Sequence, residues 1–433
     1  LQKKILAVAS KKVKKYGILV YSTCTVSEKE NIENVRWFVD NFDFEPVDFS
    51  ELLPEKVKYE TAKKGYIEIL PSDYGTDGLF QNLGENKMDK KDLRSLTLEQ
   101  LQIELENMGE KSFRAKQIFS WLHSRQVRDI DSMTNISKAL REKLKENFEL
   151  RNIEIVEKLV AHEDNTVKYL FDVGNSMVIE SVLMRYSYGN AVCISTQVGC
   201  RMGCTFCAST VDGLERNLLA GEMAEQIYEI QRDTGERVSN VVLMGSGEPL
   251  DNFDNVMDFL AIINDKNGAE LSHRHITVST CGLVDKIYDL AEKHLQITLA
   301  ISLHAPNDEI RQRTMPVARS YSIDKVIKAA KDYANKTKRR VTFEYALING
   351  VNDSTDNAAE LASRLKGIMC HVNLIPVNDV KENDYLRSSE KTIKEFAEVL
   401  QSGGIETTIR RKLGSSINAA CGQLRKRYKN KEV

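Results

Sequence analysis

The 433-residue chain has no apolar run approaching the about 18 residues that a membrane-spanning helix requires. The opening Leu1-Gln2-Lys3-Lys4 is followed by too few apolar residues for a secretory signal, and it lacks an initiator Met. The expectation is a cut or fused beginning, with Met88 as a native start. Net charge is also nearly absent. Sixty-one basic against 63 acidic side chains leave −2 at pH 7, so any nucleic-acid surface must be local and not global. Eight cysteines without a secretory signal point to a reducing, cytoplasmic setting, where thiols serve metals or catalysis instead of structural bridges. The length exceeds one typical core, so two or three domains are expected.

Three of those cysteines, Cys200, Cys204 and Cys207, are spaced Cys-x3-Cys-x2-Cys, with Phe206 just before the third. Three thiolates can hold three irons of a four-iron cluster and leave the fourth iron open to a small ligand, whereas four-cysteine clusters only carry electrons. An open iron implies chemistry. The bland alternatives are a zinc knuckle or thiols that are close by chance. A closed zinc site needs four ligands, and no Cys or His occurs within the sixty residues after Cys207.

Residues 1–87 read as a small αβ piece, with a strand at Gly17-Ile18-Leu19-Val20-Tyr21 and a capping box at Ser27–Glu30 before a helix through Trp37. Lys15 to Thr25, with Asp77-Gly78-Leu79-Phe80, resembles the C-terminal end of RNA cytosine-5 methyltransferases of the RsmB type. That resemblance gives Cys24 the place of the attacking thiol. No Gly-rich SAM loop precedes it, so the segment is expected to be an inert remnant. Residues 88–150 are periodic in the helical sense, with faces built on Leu101 and Leu105, on Ile118, Phe119 and Leu122, and on Leu140 and Leu144. Lys111, Arg114, Lys116, Arg125 and Arg128 make this part locally basic, which suits an accessory RNA-binding domain.

From 151 the period changes. A hairpin over Val167–Val173 and Met177–Met184 precedes strands expected at 192–196, 238–244, 276–279, 297–303, 341–348, 372–377 and 407–412, with helical stretches between. The fold expected for 151–433 is α/β: a partial or full barrel of parallel strands. Its strand ends carry the cysteine triad, Gly247-Glu248, Ser279, Ser302-Leu303-His304, Glu344, Asn378 and Arg410-Arg411-Lys412, and in a barrel they surround one mouth.

Glu180, Cys193 to Cys207, Gly247-Glu248-Pro249-Leu250, Ser302 to Asn307, Asn373-Leu374-Ile375-Pro376 and Ala419 to Leu424 together resemble the RlmN family of radical S-adenosylmethionine (SAM) enzymes. The resemblance covers about 88–433. Ser416 and Asn418 depart from it, standing where acidic residues are common. It implies methylation of carbon 2 of an adenine in large-subunit rRNA and in tRNA. That carbon is electron-poor and will not attack SAM directly, so a radical route is needed. By the resemblance, Cys200, Cys204 and Cys207 hold a [4Fe-4S] cluster with SAM on its fourth iron, and two SAM are used per turnover. Cys421 takes a methyl from the first. A 5′-deoxyadenosyl radical from the second activates that methyl for addition to the base. Glu180 then accepts a proton, and Cys193 attacks Cys421 to give a transient disulfide. Gly247, Glu248, Ser279, Ser302, Leu303, His304 and Asn378 fall to SAM, although His304 is as readily a structural hydrogen-bonder. Cys281 and Cys370 are left as core thiols. A flavodoxin- or ferredoxin-type electron donor, a monomeric state and no membrane partner complete the expectation. The sister Cfr type, which methylates carbon 8, shares nearly all these motifs; their wording favours carbon 2.

Overall fold

The computed structural model describes the chain apart from residues 11, 14–16, 26, 51–52, 54–59, 71–78, 87–89, 378–384, 412 and 418–433. The chain divides into two compact units, Leu1–Lys91 and Asp92–Val433.

In the first unit, the strand Leu79–Asn86 pairs antiparallel with Ile18–Thr23, with Phe44–Pro46 and with Tyr66–Ile69. Leu6, Phe38 and Phe44 form a small core beside it. The helix Ile32–Asn41 begins later than the expected capping box. Instead, the Ser27 carbonyl accepts the Glu30 and Asn31 N–H groups at 3.0 Å in a turn that precedes the helix. Asn31 then enters as N-cap, with its side chain engaged by Thr23 and not by the helix.

The second unit opens with three helices, α1 (Leu98–Asn107), α2 (Phe113–His123) and α3 (Lys138–Asn147). Thr97 and Gln100 close a capping box on α1, and Ser137 caps α3. Their buried Leu101, Phe119 and Leu140 belong to one continuous core with Tyr228 and Phe259, which lie on helices covering the sheet. A buried ion pair fastens this junction. Arg94 Nη1 lies 2.9 Å from Glu225 Oε1, both side chains being fully buried. Arg128, counted in the basic face, is spent on Glu229 at 3.0 Å and on Glu154.

The sheet has ten strands: β1 (Glu154–Val160), β2 (Val167–Asp172), β3 (Val178–Tyr186), β4 (Gly189–Cys193), β5 (Val238–Leu243), β6 (Ile276–Thr280), β7 (Thr298–Ser302), β8 (Val341–Leu347), β9 (Cys370–Pro376) and β10 (Thr407–Ile409). Each pairs with its neighbours in chain order. Pairings among β1 to β4 are antiparallel, and those from β4 to β10 are parallel. Parallel strands must be covered on both faces, and the centre of β7 and all of β8 but Thr342 are buried. The strand order is linear, so the barrel is partial, with β1 and β10 as edges. The chain leaving β10 reaches the turn between β1 and β2. There Gly414 N–H donates to Asp164 Oδ2 at 2.8 Å, and Ser416 Oγ donates to Glu163 Oε2 at 2.6 Å. Ser416 therefore meets a carboxylate that an acidic residue in its place would repel.

Candidate active site

The C-terminal ends of the parallel strands surround a cavity of about 430 Å³. After β4 the chain forms a short hairpin, Gln197–Gly199 with Leu214–Asn217, and the cysteine loop lies between its arms. Cys200, Cys204 and Cys207 all line the cavity. Burial, together with the neighbouring Cys207, pushes the Cys200 and Cys204 thiols up to about 12. Thiols this crowded and desolvated ionise together only if a cation shares their charge. Among the described residues no three His, Cys, Asp or Glu groups converge as ligands of one metal ion. Donors to separate corners of an iron–sulfur cluster need no such convergence, so the triad fits the cluster better than a closed zinc site.

Next to the triad, Gly247 has φ +107°, and a Cβ there would stand 2.6 Å from the Gln197 Cβ. Only glycine fits, because both the dihedral and the contact exclude a side chain. The close approach lets Gln197 Oε1 accept the Glu248 N–H at 2.8 Å. Gln197 Nε2 donates to Asn217 and Asp251, so one side chain fixes three segments of the rim. The Glu248 carboxylate lines the cavity and accepts the Cys281 N–H at 2.7 Å and the Leu250 N–H at 3.1 Å. Burial raises its carboxyl above the ordinary carboxylate range, opposed by those bonds. Cys281 is buried and lines the same wall, so it borders the site and is not a remote core thiol. Cys370, also buried, is pushed up to about 11 by burial.

Ser279 on β6 and Ser302 on β7 line the cavity, as does His304. His304 Nδ1 accepts the Ala346 N–H at 2.9 Å, which leaves the ring proton on Nε2 as a donor. Burial, helped by Arg311, holds this imidazole down near 3, and it is neutral. Leu303 differs: its side chain is wholly in the core, and its N–H and carbonyl are taken by Glu344 and Arg311. Asn378, Lys412, Asn418 and Cys421 lie outside the described residues, as does Met88. Arg410 and Arg411 do reach the cavity wall.

Cys193, at the end of β4, lines the cavity and sits directly opposite Val182 of β3. Glu180 is two residues along β3 from Val182 and therefore on the same face. It is buried, with Oε2 3.0 Å from Lys168 Nζ on β2. Sequence reasoning missed Lys168, which lies within an ordinary-looking strand, and Arg311, a fully buried guanidinium that donates to the Cys281 carbonyl at 2.6 Å. Neither stands in a motif; only packing singles them out. Cys24, in the first unit, is exposed.

Residues 194–362 match the Radical SAM superfamily, and residues 91–150 match the ribosomal RNA large subunit methyltransferase N-terminal domain. Residues 1–83 match the 16S rRNA methyltransferase RsmB/F family. A probable dual-specificity RNA methyltransferase RlmN of Clostridium novyi is 54% identical over 338 residues, which is 78% of this chain and 98% of that protein. The corresponding protein of Alkaliphilus oremlandii is 57% identical, over 79% of this chain and 99% of its own length. A crystal structure of a radical SAM methyltransferase from Sphaerobacter thermophilus superposes with a TM-score of 0.72 at 42% identity, covering 77% of this chain and 98% of that one. With a Cys-x3-Cys-x2-Cys loop at the mouth of a partial barrel and such relatives over nearly their whole length, the chain belongs to the RlmN family of the radical SAM superfamily.

Proposed function

We propose that this chain methylates carbon 2 of an adenine in large-subunit rRNA and in tRNA by radical SAM chemistry. The observation that carries the reading is a single cavity that gathers Cys193, the cysteine triad and the Gly247-Glu248 pair.

Cys200, Cys204 and Cys207 would hold three irons of a [4Fe-4S] cluster and leave the fourth to SAM. The loaded site supplies carbon-radical reactivity, which an electron-poor ring carbon needs and a polar methyl transfer cannot give. Gly247 and Glu248 meet the amino group of SAM, where a buried carboxylate is a strong acceptor for an ammonium. Ser279, Ser302, His304 and Asn378 serve its remaining polar groups, His304 as an Nε2–H donor, while Leu303, whose N–H and carbonyl are both taken, only holds the chain between Ser302 and His304 in place. Cys421 carries the methyl group to the base. Glu180 takes the proton that leaves carbon 2. Cys193 attacks the Cys421 sulfur, so the bond from Cys421 to the adduct breaks as a disulfide forms, and a cellular reductant restores both thiols. The placement of Glu180 and Cys193 on one face of adjacent strands supports their acting on one adduct.

The helical segment 88–150 is read as the part that grips folded RNA, and the target adenine must leave its stack to reach the cavity. Two SAM per turnover, a flavodoxin- or ferredoxin-type donor, a monomer and a cytoplasmic setting complete the proposal. Incubation with rRNA and tRNA, followed by mass spectrometry of nucleosides, should give 2-methyladenosine. A product methylated at carbon 8, or SAM cleavage with no modified base, would overturn it.

A further inference from the structure

The SAM contacts proposed above come from the chain after β5 (Gly247, Glu248), from β6 (Ser279), from the end of β7 (Ser302, His304) and from the chain after β9 (Asn378). Strand β8 runs between β7 and β9 and contributes none of them. Its Glu344 stands directly beside Ser302 in the parallel register. Glu344 is 5% exposed and lines the cavity. Among the described residues, its carboxylate accepts one side-chain hydrogen bond, from Asn373 Nδ2 to Oε2 at 2.8 Å. Asn373 is itself held, its Oδ1 accepting the Thr408 hydroxyl at 3.3 Å, and that hydroxyl lies 3.0 Å from His371 Nε2. A side-chain chain across β8, β9 and β10 thus fixes one carboxylate oxygen against the sheet. The other oxygen has no donor from the described residues. Facing the cavity, that oxygen is left as an acceptor for a ligand that brings a donor.

SAM offers three kinds of polar group. Its amino group already has Glu248, and its carboxylate would be repelled by Glu344. The nucleoside half remains, and an acidic side chain accepting from a ribose hydroxyl is a recurring solution in nucleotide sites. We propose that Glu344 is a further cofactor-binding residue that accepts a hydrogen bond from a ribose hydroxyl of SAM. The assignment rests on the SAM reading of the cavity. If Glu344 served only to tie β8 to β9, glutamine would replace it without effect on ligand binding.

The test is equilibrium binding of S-adenosylhomocysteine, and of its 2′-deoxy and 3′-deoxy analogues, to the cluster-loaded full chain. Glu344→Gln should weaken S-adenosylhomocysteine binding about tenfold, the scale of a hydrogen bond to a charged group. RNA affinity should stay within about twofold of the parent, since the carboxylate faces the cofactor. One deoxy analogue should bind the parent about tenfold more weakly than S-adenosylhomocysteine, and the variant with little further loss, because the two changes remove one bond. Glu344→Asp, which keeps the charge but draws the oxygen back, should reproduce the loss if the glutamine variant folds poorly. Equal binding of S-adenosylhomocysteine by parent and both variants, or equal losses for both analogues in parent and variant, overturns the assignment. Failure of the parent to bind S-adenosylhomocysteine would instead overturn the SAM reading on which it rests.

Discussion

Lys168 Nζ lies 3.0 Å from Glu180 Oε2, and the two side chains are 1% and 3% exposed. They are diagonal neighbours on one face of β2 and β3, since Lys168 pairs with Val182 and Glu180 with Leu170. A carboxylate kept this far from water is tolerable only with a cation against it. Replacing Lys168 by Met should therefore cost about 3–5 kcal/mol, because it strands a buried charge. Replacing both residues with apolar ones should cost clearly less. Urea unfolding of the parent and the two variants decides this, and a loss under about 1 kcal/mol for Lys168→Met would show that the pair is not structurally committed.

Removing one corner of the triad should abolish the cluster without unfolding the helices. Cys204→Ala leaves two thiols of the triad, which cannot hold an open-iron cube. Iron analysis and the brown absorbance should both fall to background, while helical circular dichroism persists. Four irons per chain in the variant would contradict the ligand assignment.

Cys193→Ala should halt turnover after the base has been joined to the protein, because the thiol that resolves the adduct is gone. RNA should then migrate with the protein under denaturing conditions, and digestion with RNase and then a protease should yield a peptide containing Cys421 that carries the modified nucleotide. Methylated RNA without any crosslink would mean that another group performs the release.

His123 supplies a pH dependence away from the cavity. It is wholly buried beside the Tyr228 hydroxyl, 3.1 Å from Nδ1, and burial holds its imidazole well below 6.5. The folded ring is thus neutral, while the unfolded chain takes up a proton below about 6.5. The unfolded state binds more protons there, so stability falls as pH drops from 7.5 to 5.5, by at most about 1.4 kcal/mol per unit below 6.5. His123→Gln should flatten that fall in urea titrations across the same range. A parallel loss in parent and variant would show that other groups control the acid limb.

Much of this was legible in the sequence because the information is local. Seven strands of the parallel sheet were expected close to where they lie, since each is a short apolar run bounded by turns, and the hairpin of β2 and β3 followed from Gly174-Asn175 between two such runs. The cysteine triad needed only its spacing. The Ser27–Glu30 box failed for an instructive reason: the pattern was correct, but Asn31 and Thr23 engage each other across the unit and the helix starts after them. Strand β1 was not singled out, since its alternation of half-exposed and exposed residues lacks an apolar face to announce it.

The sequence alone determined the chemistry on offer: three thiols at cluster spacing, the Gly247-Glu248 pair, and acids and hydroxyls at the ends of apolar strands. Only the tertiary structure decided which of these meet. It turned Leu303 into the core, gave His304 a fixed tautomer, drew Cys281 to the rim and set Lys168 against Glu180. The physical reason is that orientation and desolvation come from strand register and burial, which join residues distant in the chain and leave no local pattern in it.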